Sequence, residues 1–126
     1  MTTRFFNARI LPLDGSTQLF SGELVVSGSR IVSLGKEGGF TGAVEREIDC
    51  KGNLLMPGFK NAHTHSGMTF LRSLADDLPL QRWLTEQVFP KEAQLTPDDV
   101  YTLTKLAIME YLTSGITMMF DMYFYR

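Results

Sequence analysis

The sequence changes its pattern at Pro57, and this change restricts the fold more than any other feature of the chain. Before Pro57, short apolar stretches are separated by turn-forming residues, as in a set of β-strands joined by tight turns. After it, one strand, a series of helical stretches and a second strand follow in the order of a βαβ unit. The sequence therefore predicts an α/β protein with two parts, residues 1–56 and 57–126.

The first part is predicted to be all β and to form an antiparallel meander. Its strands are expected at residues 5–13, 18–26, 31–34, 44–50 and 53–56, with the first turn at residues 14–16. Gly28 can adopt a positive φ, so the stretches on either side of it are expected to form a hairpin.

The second part is predicted to begin with a strand at residues 58–65 and to end with another at 116–124, both of them buried. Two helices are expected between them, at 69–75 and 79–88, followed by a third, longer one. Thr96 fits the N-cap of the third helix, Pro97 fits its first position, and Gly115 fits its end. An apolar stripe along this helix consists of Val100, Leu103, Leu106, Ala107 and Tyr111.

The composition excludes several classes of protein. With 126 residues and 44% hydrophobic content, the chain is too apolar for a disordered tail and should fold around a core. The net charge is -2 and the basic residues are scattered, so neither nucleic acid nor a membrane surface is expected as a partner. No apolar run approaches the ~20 residues of a transmembrane span or forms a secretory leader. Cys50 is the single cysteine, so no internal disulfide can form, and a cytoplasmic location is expected.

The two histidines of the chain, His63 and His65, lie at the end of the first strand of the second part. Residues i and i+2 of a strand project to the same face, so the two imidazoles are expected side by side. Such a pair is typical of the first two ligands of a divalent metal, although histidines in a polar loop give the same tripeptide. Metal binding is the favoured interpretation because a Pro-Gly pair precedes the motif and Ser66 and Gly67 follow it.

Several short motifs follow one another along residues 53–124. They are Met56-Pro57-Gly58-Phe59, Asn61-Ala62-His63-Thr64-His65, Met68-Thr69, Leu71-Arg72, Leu74-Ala75-Asp76-Asp77-Leu78-Pro79-Leu80, Trp83-Leu84, Pro90 with Glu92, Leu95-Thr96-Pro97-Asp98-Asp99-Val100-Tyr101, Ser114-Gly115-Ile116-Thr117 and Asp121-Met122-Tyr123. In order and spacing, this set resembles the N-terminal portion of the amidohydrolase superfamily. Within the superfamily it is most similar to the branch that holds methylthioadenosine/S-adenosylhomocysteine deaminases, guanine deaminases and triazine chlorohydrolases.

The resemblance implies a metal-bearing (β/α)8 barrel flanked by a β-sandwich whose strands come from both ends of the chain. This sequence would supply N-terminal antiparallel strands of the sandwich and the first two strands and helices of an incomplete barrel. A complete barrel needs about 250 residues, so most of it would be missing. The last residues, Tyr123-Phe124-Tyr125-Arg126, carry no terminal helix, cap or polar tail, and we expect a fragment or a truncated gene product.

The resemblance also implies roles for four residues. His63 and His65 correspond to metal ligands at the end of the first barrel strand, with zinc as the expected metal and iron as the alternative. Trp83 and Glu92 correspond to the substrate pocket, where the glutamate would accept hydrogen bonds from ribose hydroxyls. Core packing for Trp83, and a solvated helix end beside Lys91 for Glu92, are the alternatives.

The implied reaction is hydrolytic deamination or dechlorination of a heteroaromatic ring by metal-activated water. The expected substrate is an adenosine-type nucleoside such as S-adenosylhomocysteine or methylthioadenosine. No histidine follows His65, so the remaining ligands and the general acid/base are absent, no catalytic residue is assigned within the segment, and the isolated chain is expected to be inactive. The alternative is a truncated, non-enzymatic protein that forms a homo-oligomer through its open sheet edges.

Five further residues bear on these predictions. Lys60 stands where a barrel strand favours an apolar residue, and Met118 replaces a threonine that is usual in the resembling family. Both differences count against assigning the chain to one particular subfamily more than they count against assigning it to the superfamily. Asp76 and Asp77 are adjacent and do not converge on one point, so a loop or capping role is expected. Asp121 ends the second strand, and its role is left open.

Overall fold

The computed structural model describes residues 1–15 and 18–123, and the chain divides into two compact units, Met1–Pro57 and Gly58–Arg126. Within the described residues, the first unit holds a five-stranded sheet and the second holds a two-stranded sheet with helices. The protein is therefore a mixed α/β protein, as predicted. Ser16 of the predicted first turn and Phe124 of the predicted last strand lie outside the described residues. None of the described helices is both long and apolar enough to cross a membrane.

The sheet of the first unit is built on a hairpin. Its strands are β1 (Thr2–Ile10), β2 (Phe20–Ser27), β3 (Arg30–Gly35), β4 (Arg46–Asp49) and β5 (Leu54–Leu55). β1 and β2 pair antiparallel, and β2 and β3 form the predicted hairpin with Gly28 at φ 59° in its turn. Glycine adopts this left-handed conformation without a steric penalty, so Gly28 permits the tight reversal.

The antiparallel meander predicted for the whole first part is wrong for β4 and β5, which both run parallel to β1. The strand order is β3-β2-β1-β4, and β5 also pairs with β1. Because β3 and β4 lie on opposite sides of the β1–β2 pair, residues 36–45 must cross the sheet before β4 begins. A crossover of this kind returns the chain in its original direction, and a parallel pair results.

A buried carboxylate accompanies the apolar core of the first unit. Ala8, Ile10 and Val25 are the buried apolar residues of its sheet. Glu23 is 0% exposed, and its Oε1 and Oε2 accept the backbone N–H groups of Phe40 and Gly38 at 3.0 and 3.1 Å. Arg4 Nη1 lies 3.8 Å from Glu23 Oε2. The hydrogen bond from Gly38, followed by that from Phe40, lowers the pKa of Glu23 against the opposing effect of burial.

The second unit consists of two parallel strands with helices between them. Its elements are β6 (Phe59–Thr64), a 3-10 helix (Ser66–Leu71), α1 (Leu80–Arg82), a π-helix (Trp83–Val88), α2 (Phe89–Glu92), α3 (Pro97–Thr113) and β7 (Ile116–Asp121). β6 pairs with β7 in parallel, which is the predicted strand–helix–strand order. The first predicted helix, at 69–75, is a 3-10 helix that begins earlier, at Ser66, and also ends earlier, at Leu71. The second predicted helix continues to Glu92.

Helix α3 begins as its sequence predicts. Thr96 Oγ1 accepts the N–H of Asp99 at 3.2 Å, and Asp99 Oδ2 accepts the N–H of Thr96 at 2.8 Å, which completes a capping box. Gly115, at φ 76°, follows its end. Along the predicted stripe, Ala107 is buried, Val100, Leu103 and Tyr111 are half-buried, and Leu106 is exposed. The stripe is therefore only partly covered.

The prediction that both strands of the second part are buried is wrong. Most residues of β6 and β7 are exposed, and Phe120 reaches 67%. Lys60 and Met118, the two departures from the family pattern, are paired across the strands, and both are exposed. Within the described part of the chain, each strand has only the other as a partner, so one edge of each is uncovered.

Candidate active site

The two histidines lie where β6 gives way to the 3-10 helix. Both are exposed, their ring centroids are 5.2 Å apart, and their ring planes meet at 83°. In tetrahedral coordination, with zinc–nitrogen bonds of about 2.0–2.1 Å, two imidazole centroids stand roughly 5 Å apart. The separation of His63 and His65 therefore fits two ligands of one zinc ion.

A complete ligand set is not assembled in this part of the protein. Among residues 1–15 and 18–123, no three or more histidine, cysteine, aspartate and glutamate side chains are grouped to hold a metal ion. Catalytic zinc sites use three protein ligands and a water molecule. Asp121 lies opposite Thr64 on β7, but its Oδ1 accepts the backbone N–H groups of Ser66 and Tyr123 at 3.4 and 3.0 Å. Asp121 therefore holds backbone around the end of β6.

A cavity of about 300 Å³ lies beside His65. His65 after β6, Trp83 at the start of the π-helix and Glu92 at the end of α2 all line it. The other lining residues are mostly apolar: Met68, Leu80, Leu84, Val88, Phe89, Met122 and Tyr123. His63 is not among the lining residues. Apolar walls with a few convergent polar groups are typical of a site for a small organic molecule.

Glu92 is the acidic group of this cavity. It is only 7% exposed, although carboxylates are rarely buried without a partner. In the described part of the chain its carboxylate has no hydrogen bond or ion pair, and the neighbouring Lys91 Nζ donates to Gln87 Oε1 at 2.9 Å. Glu92 is therefore not the solvated helix-end residue of the alternative interpretation. Its carboxylate is available to accept hydrogen bonds from a ligand.

Trp83 is held at the cavity wall by a hydrogen bond. Its indole Nε1 donates to the carbonyl oxygen of Leu74 at 3.2 Å, and the residue is half-buried. Trp83 is therefore held in place and also forms part of the cavity wall, which core packing alone does not require.

Asp76 and Asp77 are exposed in the turns between the 3-10 helix and α1, which agrees with a loop role.

A group of hydrogen-bonded hydroxyls next to His65, from Thr64, Ser66 and Tyr111, was not predicted from the sequence. Ser66 is 1% exposed and its Oγ lies 3.0 Å from Tyr111 Oη, which also forms a hydrogen bond with Thr64 Oγ1. From the sequence, Ser66 is only a polar residue that follows the histidine pair, and Tyr111 is only a member of an apolar stripe. The available signal was a tyrosine in that stripe together with hydroxyl residues on both sides of His65.

Residues 54–126 match the amidohydrolase family. This match covers more than half of the chain, and the chain belongs to the amidohydrolase family. The resemblance inferred from the motifs around His63 and His65 is confirmed at this level.

Individual relatives include several deaminases. The chain is 42% identical over 120 residues to a 5-methylthioadenosine/S-adenosylhomocysteine deaminase of Pelotomaculum thermopropionicum, covering 93% of this chain and 28% of that protein. It is 42% identical over 120 residues to a 5'-deoxyadenosine deaminase of Methanococcoides burtonii, covering 94% and 27%. A crystal structure of an adenosine deaminase from Xanthomonas campestris with bound zinc matches at a TM-score of 0.84 and 34% identity, covering 98% of this chain and 29% of that chain. The chain thus spans 28% of the length of the first of these relatives.

Proposed function

We propose that the protein is a metal-dependent hydrolase that deaminates a heteroaromatic ring. The proposed substrate is an adenosine-type nucleoside, such as S-adenosylhomocysteine or methylthioadenosine. The observation that carries this proposal is the meeting of His65, Trp83 and Glu92 around one cavity. The relatives support it, since those named above are called deaminases of adenosine-type nucleosides.

The proposed whole protein has a (β/α)8 barrel and a β-sandwich. The second unit would supply the first two barrel strands, β6 and β7, which are parallel neighbours joined by helices. The first unit would supply part of the sandwich. Enzymes with this barrel place their active sites at the carboxyl ends of the strands, and His63 and His65 lie at and just beyond the carboxyl end of β6. The uncovered edges of β6 and β7 are then the places where further strands would pair.

In this proposal the two histidines hold a divalent metal. A metal bound there would supply Lewis acidity and lower the pKa of a water molecule towards neutrality. His63 and His65 would each present a neutral ring nitrogen to the metal. Imidazole suits both zinc and iron; the separation of the two rings fits zinc, and zinc is proposed because the matching adenosine deaminase structure has bound zinc. The other ligands and the general acid/base would come from outside these residues.

Glu92 is proposed to bind the ribose of the substrate. A carboxylate has two oxygens, so it can accept hydrogen bonds from two neighbouring hydroxyl groups at the same time. The ribose hydroxyls would give the buried carboxylate the partners that it does not have within the described residues. Trp83 and the apolar walls would exclude water and contact the rest of the nucleoside.

The test uses zinc-loaded protein expressed from the complete reading frame. Release of ammonia is measured with methylthioadenosine, S-adenosylhomocysteine and adenosine as nucleosides, and with adenine and guanine as free bases. We expect turnover of at least one nucleoside. A folded, zinc-loaded protein that releases no ammonia from any of these compounds would overturn the proposed function.

The role of Glu92 is tested with Glu92→Gln, which removes the charge and keeps the size of the side chain. We expect kcat/KM for nucleosides to fall by about 10- to 100-fold, since a hydrogen bond to a charged group contributes about 1.5–3 kcal/mol, while free bases are little affected. Glu86→Gln is the matched control, because Glu86 lies on the adjoining π-helix, is exposed and pairs with Arg82. Equal losses for nucleosides and free bases would contradict the ribose assignment.

A further inference from the structure

The hydroxyl of Tyr111 reaches the side chains of both residues that flank His65. Its Oη lies 3.0 Å from Ser66 Oγ and forms a second hydrogen bond with Thr64 Oγ1. These contacts join helix α3 to the end of β6 across 45 and 47 positions of the sequence. Ser66 is 1% exposed, and its Oγ also contacts Met119 Sδ at 3.7 Å.

The backbone on each side of His65 is also held, in this case by the end of β7. Met122 N–H donates to the carbonyl oxygen of Thr64 at 2.8 Å, and Ser66 N–H donates to Asp121 Oδ1 at 3.4 Å. Thr64 and Ser66 are therefore each restrained twice, once through the side chain and once through the backbone. The peptide units around His65 have little freedom to rotate as a result.

His65 depends on such restraints more than His63 does. His63 lies within β6, where the strand itself sets the direction of its side chain. His65 lies one residue beyond the strand, at φ -131° and ψ 75°, and immediately precedes the 3-10 helix. The ladder of β6 and β7 therefore does not by itself set the direction of the second imidazole. The contacts of Thr64 and Ser66 contribute to it, together with the hydrogen bond from Met68 N–H to the carbonyl oxygen of His65 at 2.9 Å.

We propose that Tyr111 is a positioning residue for the metal ligand His65. Its hydroxyl fixes Thr64 and Ser66, and through them it holds the second imidazole at the separation from the first that one metal ion requires. This inference rests on the proposed function in one respect, namely that His63 and His65 bind a metal. Groups that orient metal ligands affect metal affinity by about 10- to 100-fold when they are removed.

The test measures the dissociation constant of Zn²⁺ in the protein from the complete reading frame, by competition with a chromogenic chelator. Tyr111→Phe is expected to weaken Zn²⁺ binding by about tenfold. Tyr101→Phe is the matched control, since it removes the same hydroxyl from the same helix at a residue that is 65% exposed. Tyr101→Phe is expected to leave the dissociation constant unchanged.

A second readout separates positioning from general stability. Visible absorption of the Co²⁺-loaded protein reports the ligand geometry, and we expect the spectrum to change in Tyr111→Phe and to stay the same in Tyr101→Phe. Combining Tyr111→Phe with Ser66→Ala should weaken Zn²⁺ binding by less than the sum of the two single effects, because both variants break the same hydrogen bond. A merely structural tyrosine would lower the melting temperature of the metal-free protein and change neither metal readout.

The proposal is overturned if Tyr111→Phe binds Zn²⁺ as tightly as the unmodified protein with an unchanged Co²⁺ spectrum. If Tyr111→Phe does not fold, Ser66→Ala and Thr64→Val take its place, each with an expected loss of several-fold in Zn²⁺ affinity. Unchanged affinity in both of these variants overturns the proposal equally. An unmodified protein that binds no Zn²⁺ would overturn the metal site itself, an outcome distinct from failure of Tyr111 alone.

Discussion

Each unit of the protein buries a glutamate, and the surroundings of the two side chains differ. Glu23, in the sheet of the first unit, accepts two backbone N–H groups and lies near Arg4. Glu92, in the second unit, lines a cavity and has no partner among the described residues. A buried carboxylate is stable only when its hydrogen-bonding capacity is met. The hydrogen-bonding capacity of Glu23 is therefore met by the fold, whereas Glu92 is placed to have its capacity met by a ligand.

The largest effect is expected at Glu23. Glu23→Ala would leave the N–H groups of Gly38 and Phe40 without their acceptor, and we expect the free energy of unfolding to fall by about 3 kcal/mol. Urea denaturation measures this loss, and Glu47→Ala, at an exposed residue of the same sheet, is the control with a loss below about 1 kcal/mol. Similar losses in the two variants would remove the contrast between the two glutamates.

A smaller effect is expected when Glu23 is protonated but remains in place. The folded protein lowers the pKa of this carboxyl group, chiefly through the hydrogen bond from Gly38. Its ionised form therefore stabilises the fold at any pH above the ordinary glutamate pKa of about 4.3, and this stability is lost as the pH falls through the lower folded value. The stability difference between the unmodified protein and Glu23→Gln should shrink as urea denaturation is repeated from about pH 6 to about pH 3. A constant difference over this range would show that ionisation of Glu23 does not matter.

The smallest effect, and one of opposite sign, is expected at Glu92. Without ligand, Glu92→Gln removes a buried charge that has no partner in the described residues, so the free energy of unfolding should stay the same or rise by up to about 1 kcal/mol. Urea denaturation of the ligand-free protein measures it, with Glu23→Gln as the comparison. A loss as large as that in Glu23→Gln would mean that Glu92 is also satisfied by the protein.

Local features of the fold were predictable from the sequence. The capping box of α3 involves residues three positions apart, Thr96 and Asp99, and the hairpin around Gly28 depends on one turn. The parallel placement of β4 beside β1 was not predictable in this way, because strand order is set by contacts between distant residues. The exposure of β6 and β7 was also missed, since an apolar sequence predicts a strand without showing how many neighbours it has.

In the candidate site, too, local features were predictable from the sequence and contacts between distant residues were not. The i, i+2 spacing predicted that the rings of His63 and His65 lie side by side, but the strand ends at Thr64, so the spacing did not show what holds His65. Resemblance to a family, and not spacing, brought Trp83 and Glu92 into the prediction. The role of Tyr111 was not predicted, because its hydroxyl contacts residues more than forty positions away and the spacing of a helical stripe gives no information about such contacts.

The π-helix between α1 and α2 brings Trp83 and Glu92 to the same cavity. Trp83 and Glu92 are nine positions apart, about two and a half turns of a regular α-helix, which would place them on opposite sides. Both nevertheless line one cavity, because the wider turns of the π-helix alter the rotation of every residue that follows. The number of residues in this segment, together with its helix type, therefore determines whether Trp83 and Glu92 face the same cavity. A deletion or insertion there would keep both side chains on the cavity only if the type of helix changed with it, whereas a substitution leaves the nine positions between them intact.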